Sequence, residues 1–341
     1  MSIRVKSVET EDEFIRATEL FIRVHRVESP LTIEWLRYGS QQYPNFRRDH
    51  TFILFYENEL VSALRLTTDI AIIGEARLKM GGLGWVSTDE RFRGRGLSTR
   101  LIKETQHYMA VNNYHVSMLF GIPNFYERLG YVTSLVDYLV EVDTVEAMTF
   151  TSTLSMRPAR PTDIPAIHRI HSANNLDLSC SILRTMGHLK NRWERWRDWY
   201  CLTNGNGKVE AYFIAYNEGS RLAVDDVGVS EPHFCAAVLH AAAKLASDEG
   251  ADSILFFVPP VHPLARYLLQ FRSRHEMRIE RNAGGMMAFV NPLETFENMI
   301  PEWETLLSKS LIKENKTEFT FCVRDECYRF RLNRGVIDVA A

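Results

Sequence analysis

The hydrophobic pattern along the first third of the chain alternates between helical and strand periods. Phe14, Leu20 and Phe21 recur at helical spacing and predict an amphipathic helix over residues 11–25. The apolar runs at residues 51–56 and 60–66, separated by a short polar turn, predict a β-hairpin. The first domain therefore begins with a helix and an antiparallel pair of strands.

The next stretch predicts a strand, a glycine-bearing loop, a helix and another strand in direct succession. The strand is expected at residues 82–88, the helix at 97–112 and the buried second strand at 115–120. Two strands joined by a helix in this order predict a right-handed crossover between parallel neighbours. The sheet is therefore mixed.

Near residue 150 the pattern starts again with a capped helix at Thr162 or Asp163. The elements that follow repeat the order of the first half: strands at 211–216 and 221–229, a helix at 232–249, and a strand at 253–258. A tandem duplication is the simplest interpretation. From residue 291 onward the pattern predicts one helix and three short strands, at 294–311, 317–323, 327–332 and 336–339.

The predicted fold class is α/β (α+β), with tandem mixed sheets flanked by helices and a small C-terminal α+β piece. The expected domains are residues 1–150, 151–290 and 291–341. The last region is too small to bury much surface alone, so we expect it to pack on a larger domain.

Composition narrows the function classes. The chain has 341 residues, 45% hydrophobic and 24% charged, with a formal net charge of −3, so a broad positive field for nucleic acid is excluded. The aromatic and basic segment at residues 192–200 predicts a core helix with Trp193, Trp196 and Tyr200 on one face, rather than a nucleic-acid platform.

Five cysteines, sparse and odd in number, predict reduced thiols, no metal site and a cytoplasmic location. No segment approaches the roughly 20 apolar residues that cross a bilayer, and the N-terminus lacks a signal-peptide core, so no membrane partner is expected.

The sharpest chemical signal is the loop between the strand at 82–88 and the following helix. Gly94 and Gly96 free successive backbone amides, and the helix after Gly96 offers unpaired N–H groups with a partial positive charge. Such a loop can bind an anion, but a tight turn with solvated arginines fits equally well on these grounds.

Two motifs decide between these alternatives. Arg91-x-x-Gly94-x-Gly96 is similar to the pyrophosphate-binding motif of the GNAT superfamily of acetyl-CoA-dependent N-acetyltransferases, and the run from Asn124 to Tyr131 resembles the family's second signature. The resemblance implies acetyl-CoA as co-substrate and places Val86, Ser87, Thr88, Arg91, Arg93, Gly94, Arg95, Gly96, Leu97 and Ser98 against it. It also implies that the N–H of Val86 polarises the thioester carbonyl.

The implied chemistry needs an acid and a base. An alkylamine is protonated at pH 7 and costs about 4 kcal/mol to deprotonate, so a base or a water chain must assist. Tyr126 occupies the family position of the general acid that returns a proton to the leaving thiolate. The pattern does not identify the base, and it does not rank Glu19, Glu28 and Glu34 in the N-terminal helical region.

The second half lacks this machinery, because the segment after its equivalent strand, residues 223–229, contains neither the glycines nor the arginines. An active unit, a degenerate GNAT-like unit and a short C-terminal region together resemble the Eis-type acetyltransferases, whose third part is similar to sterol carrier proteins. That resemblance implies a small-molecule amine acceptor and a homo-oligomer, a hexamer in relatives. In well-known members the terminal carboxylate is the base.

The sequence therefore predicts an acyltransferase enzyme that transfers acetyl to a primary amine by direct attack, with Tyr126 as general acid. The alternative is a non-catalytic acyl-CoA-binding or regulatory module that kept the anion loop and lost turnover.

Overall fold

The fold is given by a computed structural model, which describes residues 2–176, 178–195, 198–313, 315–323 and 325–341. In chain order, the strands are β1 (Ile3–Ser7), β2 (Thr51–Tyr56), β3 (Glu59–Ile73), β4 (Ala76–Thr88), β5 (Val116–Gly121), β6 (Val132–Thr133), β7 (Asp137–Asp143), β8 (Ser155–Pro158), β9 (Ser181–Ile182), β10 (Trp199–Thr203), β11 (Val209–Asn217), β12 (Arg221–Val229), β13 (Ser253–Phe257), β14 (Arg274–Arg278), β15 (Gly284–Phe289), β16 (Lys316–Val323), β17 (Glu326–Asn333) and β18 (Val336–Ala340). The helices are α1 (Glu11–Val24), α2 (Pro30–Arg37), α3 (Leu97–Val111), α4 (Thr144–Ala147), α5 (Ile164–Asn174), α6 (Met186–Arg195), α7 (Cys235–Asp248), α8 (Pro263–Leu268) and α9 (Pro292–Ser308).

The described chain divides into two compact units. The first comprises the described residues of Met1–Leu135, Ser179–Leu183 and Glu280–Ala341, and the second those of Val136–Leu178 and Arg184–Ile279. Each unit has its own mixed sheet, and the first also holds a three-stranded sheet in the order β16-β17-β18. The predicted fold class, mixed sheets flanked by helices, is confirmed.

The main sheet of the first unit runs β1-β2-β3-β4-β5-β15-β6, with β9 paired to β3. Leu101 and Met109 of α3 pack on one face of it with Leu66 and Leu119. Because side chains alternate across a strand, the opposite face of β2 and β3 presents a different set, on which Phe14 and Phe21 of α1 pack. Burying each such large apolar side chain stabilises the unit by roughly 1.5–3 kcal/mol.

The sheet of the second unit runs β14-β7-β13-β12-β11-β10-β8. Its long helix α7 is lined with buried alanines, among them Ala242 and Ala243, which pack with Val224 and Phe256 of β12 and β13. Small side chains let the helix backbone approach the sheet closely, so this core is built from short alanines against larger strand residues.

Two strands belong to a different sheet from the one implied by the domain boundaries expected from the sequence. Strand β7, expected in the first domain, pairs with β13 and β14 of the second unit. Strand β15, expected in the second domain, pairs with β5 and β6 of the first. Strand partners are chosen by long-range packing, and the hydrophobic pattern of a single strand does not carry that information.

The predicted C-terminal helix and strands are present with bounds shifted by at most three residues. Two other expectations are corrected. Cys322 and Cys327 are predicted as reduced thiols but form a disulfide, because β16 and β17 place them directly opposite each other. Tyr200 is predicted on a helix but lies in β10, and Trp196 lies outside the described residues.

Within the described residues, no helix combines the length and the apolar character needed to cross a bilayer.

Candidate active site

Strands β4 and β5 of the first unit are parallel neighbours over only three residues, in the middle of β4 and at the start of β5. The ladder joins Met80, Gly81 and Gly82 to residues 116–118 and then stops, although β4 continues to Thr88. Beyond this point the two strands part and leave backbone N–H and C=O groups of β4 without a partner on β5. A gap between two strands of a sheet can take an extended ligand that pairs with the exposed edge.

A β-bulge lies on β4 at this opening. The β3 register steps from Ala63 opposite Ser87 to Arg65 opposite Gly84, so Trp85 and Val86 together face the single residue between them on β3. Trp85 has φ +55°, in the left-handed region that a tryptophan rarely occupies. A bulge turns the backbone out of the ladder, so the amides near Val86 are redirected at the place where the strands part.

The loop from β4 to α3 forms an open cradle of backbone amides. Gly94 and Gly96 have φ +75° and +71°, and a Cβ atom built on either would meet no heavy atom within 4 Å. Gly96 is the N-cap of α3 and no side chain of the described residues caps this end, so the N–H groups of Leu97 and Ser98 stay available. The geometry fits an anion such as a pyrophosphate.

A cavity of about 470 Å³ joins the cradle, the bulge and the segment after β5. The residues that line it are Val24, Val86, Thr88, Phe92, Arg93, Gly94, Gly96, Leu97, Ser98, Ile122, Phe125 and Tyr126. Most of the residues that the sequence assigns to cofactor binding or catalysis are therefore brought together around one space.

Three of the residues assigned to the cofactor do not line this cavity. The Ser87 side chain is buried and donates to the carbonyl of Trp85 at 3.0 Å. Arg91 is bound by Asp89, with Nε to Oδ1 at 3.1 Å, and by Glu59. The Arg95 guanidinium stacks 5.2 Å from the Phe92 ring centroid. Ser87 faces away from the cavity because side chains alternate along a strand. Asp89 and Glu59 hold Arg91 away from it, and the Phe92 ring holds Arg95.

Tyr126 packs in the core of the first unit with its ring edge against Phe125 and Tyr131, at centroid distances of 4.8 and 6.0 Å. Gly121 makes room for it, because a Cβ there would lie 2.9 Å from the Tyr126 ring. Burial raises the pKa of Tyr126 to about 12, so the phenol is protonated at pH 7 and can donate a proton. This is the state that a general acid requires.

Asp89 anchors the loop and was not singled out by the sequence pattern. Its buried carboxylate accepts from Arg23 at 2.6 Å and from the backbone N–H of Arg91 at 3.0 Å. Hydrogen bonds from Arg91 hold the pKa of Asp89 below its usual value against the opposing effect of burial. The Asp89 carboxylate thus ties the end of α1 to the start of the glycine loop.

We expect Asp89→Asn to lower the free energy of unfolding by roughly 1–3 kcal/mol, because charge-assisted bonds to a buried acceptor are lost. The loosened loop should also bind an acyl-CoA several-fold more weakly. Thermal unfolding and calorimetric titration measure both effects. Glu90→Gln is the matched control, since Glu90 is exposed and lies 3.5 Å from Arg93, and it should change stability by less than about 0.5 kcal/mol. Equal behaviour of the two variants would contradict this role for Asp89.

The sequence pattern does not assign a role to the remaining residues of the lining, which are Val24, Phe92, Ile122 and Phe125. Phe125 stands next to Tyr126 in the second motif, so its position was available from the sequence. Val24 belongs to the end of α1, and no local signal connects that helix end to a loop more than 60 residues away. Ala341 lines a separate cavity with Phe289 and Tyr328.

In the second unit two parallel strands also separate, but no glycine loop follows them. Strands β12 and β13 are parallel over residues 221–224 of β12, and β12 bulges at Asp225 beyond them. His262 is buried there, and its Nε2 lies 3.2 Å from the carbonyl of Val227. A short 3-10 turn (Pro232–Phe234) leads into α7 in place of a glycine loop. The glycine loop that forms the cradle of the first unit is therefore replaced here by a 3-10 turn.

Comparison with known proteins places this geometry in context. Residues 4–133 match the family model described as Acetyltransferase (GNAT) domain, and no curated protein sequence matches the chain. Three solved structures are similar at 14% identity, each covering 99% of this chain and 85% of the other: a GCN5-related N-acetyltransferase from Anabaena variabilis (TM-score 0.73), a conserved protein of unknown function from Enterococcus faecalis V583 described as a probable N-acyltransferase (0.75), and Eis1 from Mycobacterium abscessus (0.64).

At this identity the structural likeness shows a shared fold. The family match supports the activity as well as the fold, because it spans α1, the bulged strand, the glycine loop and Tyr126. The match of residues 4–133 to the GNAT acetyltransferase domain therefore supports the acyltransferase enzyme that the sequence predicts.

Proposed function

We propose that this protein is an N-acetyltransferase that uses acetyl-CoA and a primary amine acceptor. The observation that carries the proposal is the single cavity lined by the glycine cradle, by Val86 at the bulge and by Tyr126. The three features supply an anion site, an exposed strand edge and a proton donor. Transfer of an acyl group from a CoA thioester requires these three parts.

Each part has a defined task in the proposed reaction. The amides of the loop from Arg93 to Ser98 hold the pyrophosphate, and the edge of β4 up to Thr88 pairs with the pantetheine arm. The amide N–H of Val86 donates to the thioester carbonyl and stabilises negative charge on its oxygen. Tyr126 gives its proton to the thiolate as it leaves. The amine attacks directly, without a covalent acyl-enzyme.

The second unit has a different task in this proposal. It is a degenerate GNAT-like unit without the pyrophosphate cradle, and the C-terminal region is a short sterol-carrier-protein-like piece. Symmetric self-association, implied by the Eis-type resemblance, is a separate proposal that mass measurement in solution tests.

The proposal is tested by measuring free thiol released from acetyl-CoA in the presence of a panel of primary amines. We expect release that depends on the amine and on its concentration. Binding of acetyl-CoA without release for any amine would favour the alternative, a non-catalytic acyl-CoA-binding module. Absence of binding would contradict both.

A further inference from the structure

The proposed reaction needs a base, and no residue has so far been assigned this role. The residues beside the cavity include a candidate. The end of α1 reaches the cavity through Val24, and the next residue is His25. The His25 ring stands edge-on to Trp85, with centroids 5.2 Å apart. The backbone of Trp85 and Val86 acts on this ring and opposes the lowering of its pKa. An imidazole therefore lies beside the bulge whose amide is assigned to the thioester.

Two carboxylates of this region are already paired with arginines. Glu19 receives two bonds from Arg37, at 2.8 and 3.1 Å, and Asp89 is held by Arg23 and Arg91. A carboxylate paired to a guanidinium is a weak base, because the positive charge stabilises its ionised form.

The other described histidines of the first unit are unsuitable. The two ring nitrogens of His50 face the hydroxyls of Thr68 and Tyr108. His115 accepts from the backbone N–H of Lys79 at the start of β4, far along the strand from the bulge. His107 lies on the exposed side of α3. Only His25, of these four, contacts the bulge.

We propose that His25 is the general base that removes the proton from the acceptor ammonium. This inference rests on the proposed function and goes beyond it by assigning the missing catalytic residue. The His25 side chain is exposed, so a substrate can reach it. Partial loss of solvation lowers its pKa below 6.5 against the opposing effect of the Val86 and Trp85 backbone, so the ring is neutral and able to accept a proton at pH 7.

The charged groups near His25 are compatible with a neutral imidazole. Arg23 and Arg26 flank it on its own segment, and Glu28 follows in the chain. On the opposite loop, Asp89 is already bound by Arg23 at 2.6 Å. The imidazole has no carboxylate partner among the described residues, and the loss of solvation outweighs the effect of the Trp85 and Val86 backbone, which favours the protonated form.

The proton and electron balance is complete. His25 takes one proton from R–NH3⁺, and the freed lone pair forms the C–N bond. The C–S bond breaks with its electron pair on sulfur, and Tyr126 protonates that sulfur. The second nitrogen proton restores the Tyr126 phenol, directly or through water, while His25 releases its proton to solvent. The products are an N-acetylamine, free CoA thiol and one proton.

The test compares two acceptors in wild type, His25→Gln and the control His107→Gln. For a primary alkylamine, protonated at pH 7, we expect His25→Gln to lower kcat/KM about 100-fold. For hydroxylamine, which is unprotonated at pH 7 and needs no base before attack, the loss should stay within about three-fold by the same argument. His107→Gln should match wild type with both acceptors.

Two further measurements separate catalysis from structure. In wild type, kcat/KM for the alkylamine should rise with pH to a plateau set by the pKa of His25, below 6.5, and His25→Gln should lose that plateau and keep rising. Added imidazole should restore activity to His25→Ala. An equal loss with both acceptors, or an unchanged pH profile, overturns the inference while acetyl-CoA binding and Tyr126-dependent turnover still support the proposed function. Absence of acetyl-CoA binding by wild type overturns both.

Discussion

Gly96→Trp is expected to raise the dissociation constant for acetyl-CoA at least about 100-fold, which corresponds to about 2.7 kcal/mol of binding free energy. Gly96 is the N-cap of α3, and the space beside its Cα is open. An indole there fills the cradle and covers the first amides of the helix. It also forces a bulky residue into a left-handed conformation that glycine adopts without strain. Calorimetric titration measures the change.

The matched control for this variant is Gly207→Trp. Gly207 also has a positive φ, +77°, and open space beside it, but it lies in the turn between β10 and β11 of the second unit. Both variants carry the same backbone strain, and only one of them blocks the cradle. We expect Gly207→Trp to bind acetyl-CoA as wild type does. A Gly96→Trp protein that binds within three-fold of wild type would contradict the pyrophosphate assignment.

Tyr126→Phe is expected to reduce acceptor-dependent thiol release about 100- to 10,000-fold, the range for loss of a general acid. Affinity for acetyl-CoA should stay within a few-fold, because the ring still fills its place against Phe125 and only the hydroxyl is removed. Since the pKa of Tyr126 is raised to about 12, wild type should keep this acid protonated, and lose no activity through its ionisation, from pH 7 to about 10.

Tyr131→Phe is the control for Tyr126→Phe. Tyr131 is buried in the same core, and its hydroxyl lies 2.8 Å from that of Ser117. Its loss removes a buried hydrogen bond of about 1 kcal/mol without touching the cavity lining. Stability should fall modestly while turnover persists. If Tyr131→Phe and Tyr126→Phe reduce turnover equally, the effect is structural and the acid assignment fails.

Local features of the fold and site could be predicted from the sequence because their signals are local. Gly94 and Gly96 stand between an apolar strand and an amphipathic helix, and each piece keeps its own periodicity. Tyr126 belongs to a contiguous motif. The structure places all three at one cavity, because a parallel crossover brings the ends of its two strands to the same edge of the sheet.

Non-local features could not be predicted in the same way. The exchange of β7 and β15 depends on which strand edge packs best. Arg91 is also held by Glu59 and Arg95 by the Tyr56 ring, and both partners are distant in the chain. The bulge at Trp85 has no sequence signal, since tryptophan disfavours a positive φ. The His25 position depends on how α1 packs against that bulge, so this candidate base was invisible until the helix and strand were placed together.

The central claim is that the backbone amides after β4 bind the pyrophosphate of an acyl-CoA, at one site per chain. Calorimetric titration of wild type with acetyl-CoA and with acetyl-pantetheine, which lacks the nucleotide and its pyrophosphate, tests it most directly. We expect one acetyl-CoA per chain and an affinity for acetyl-pantetheine at least about 100-fold weaker. Equal affinity for the two ligands, or no binding of acetyl-CoA, would contradict the claim.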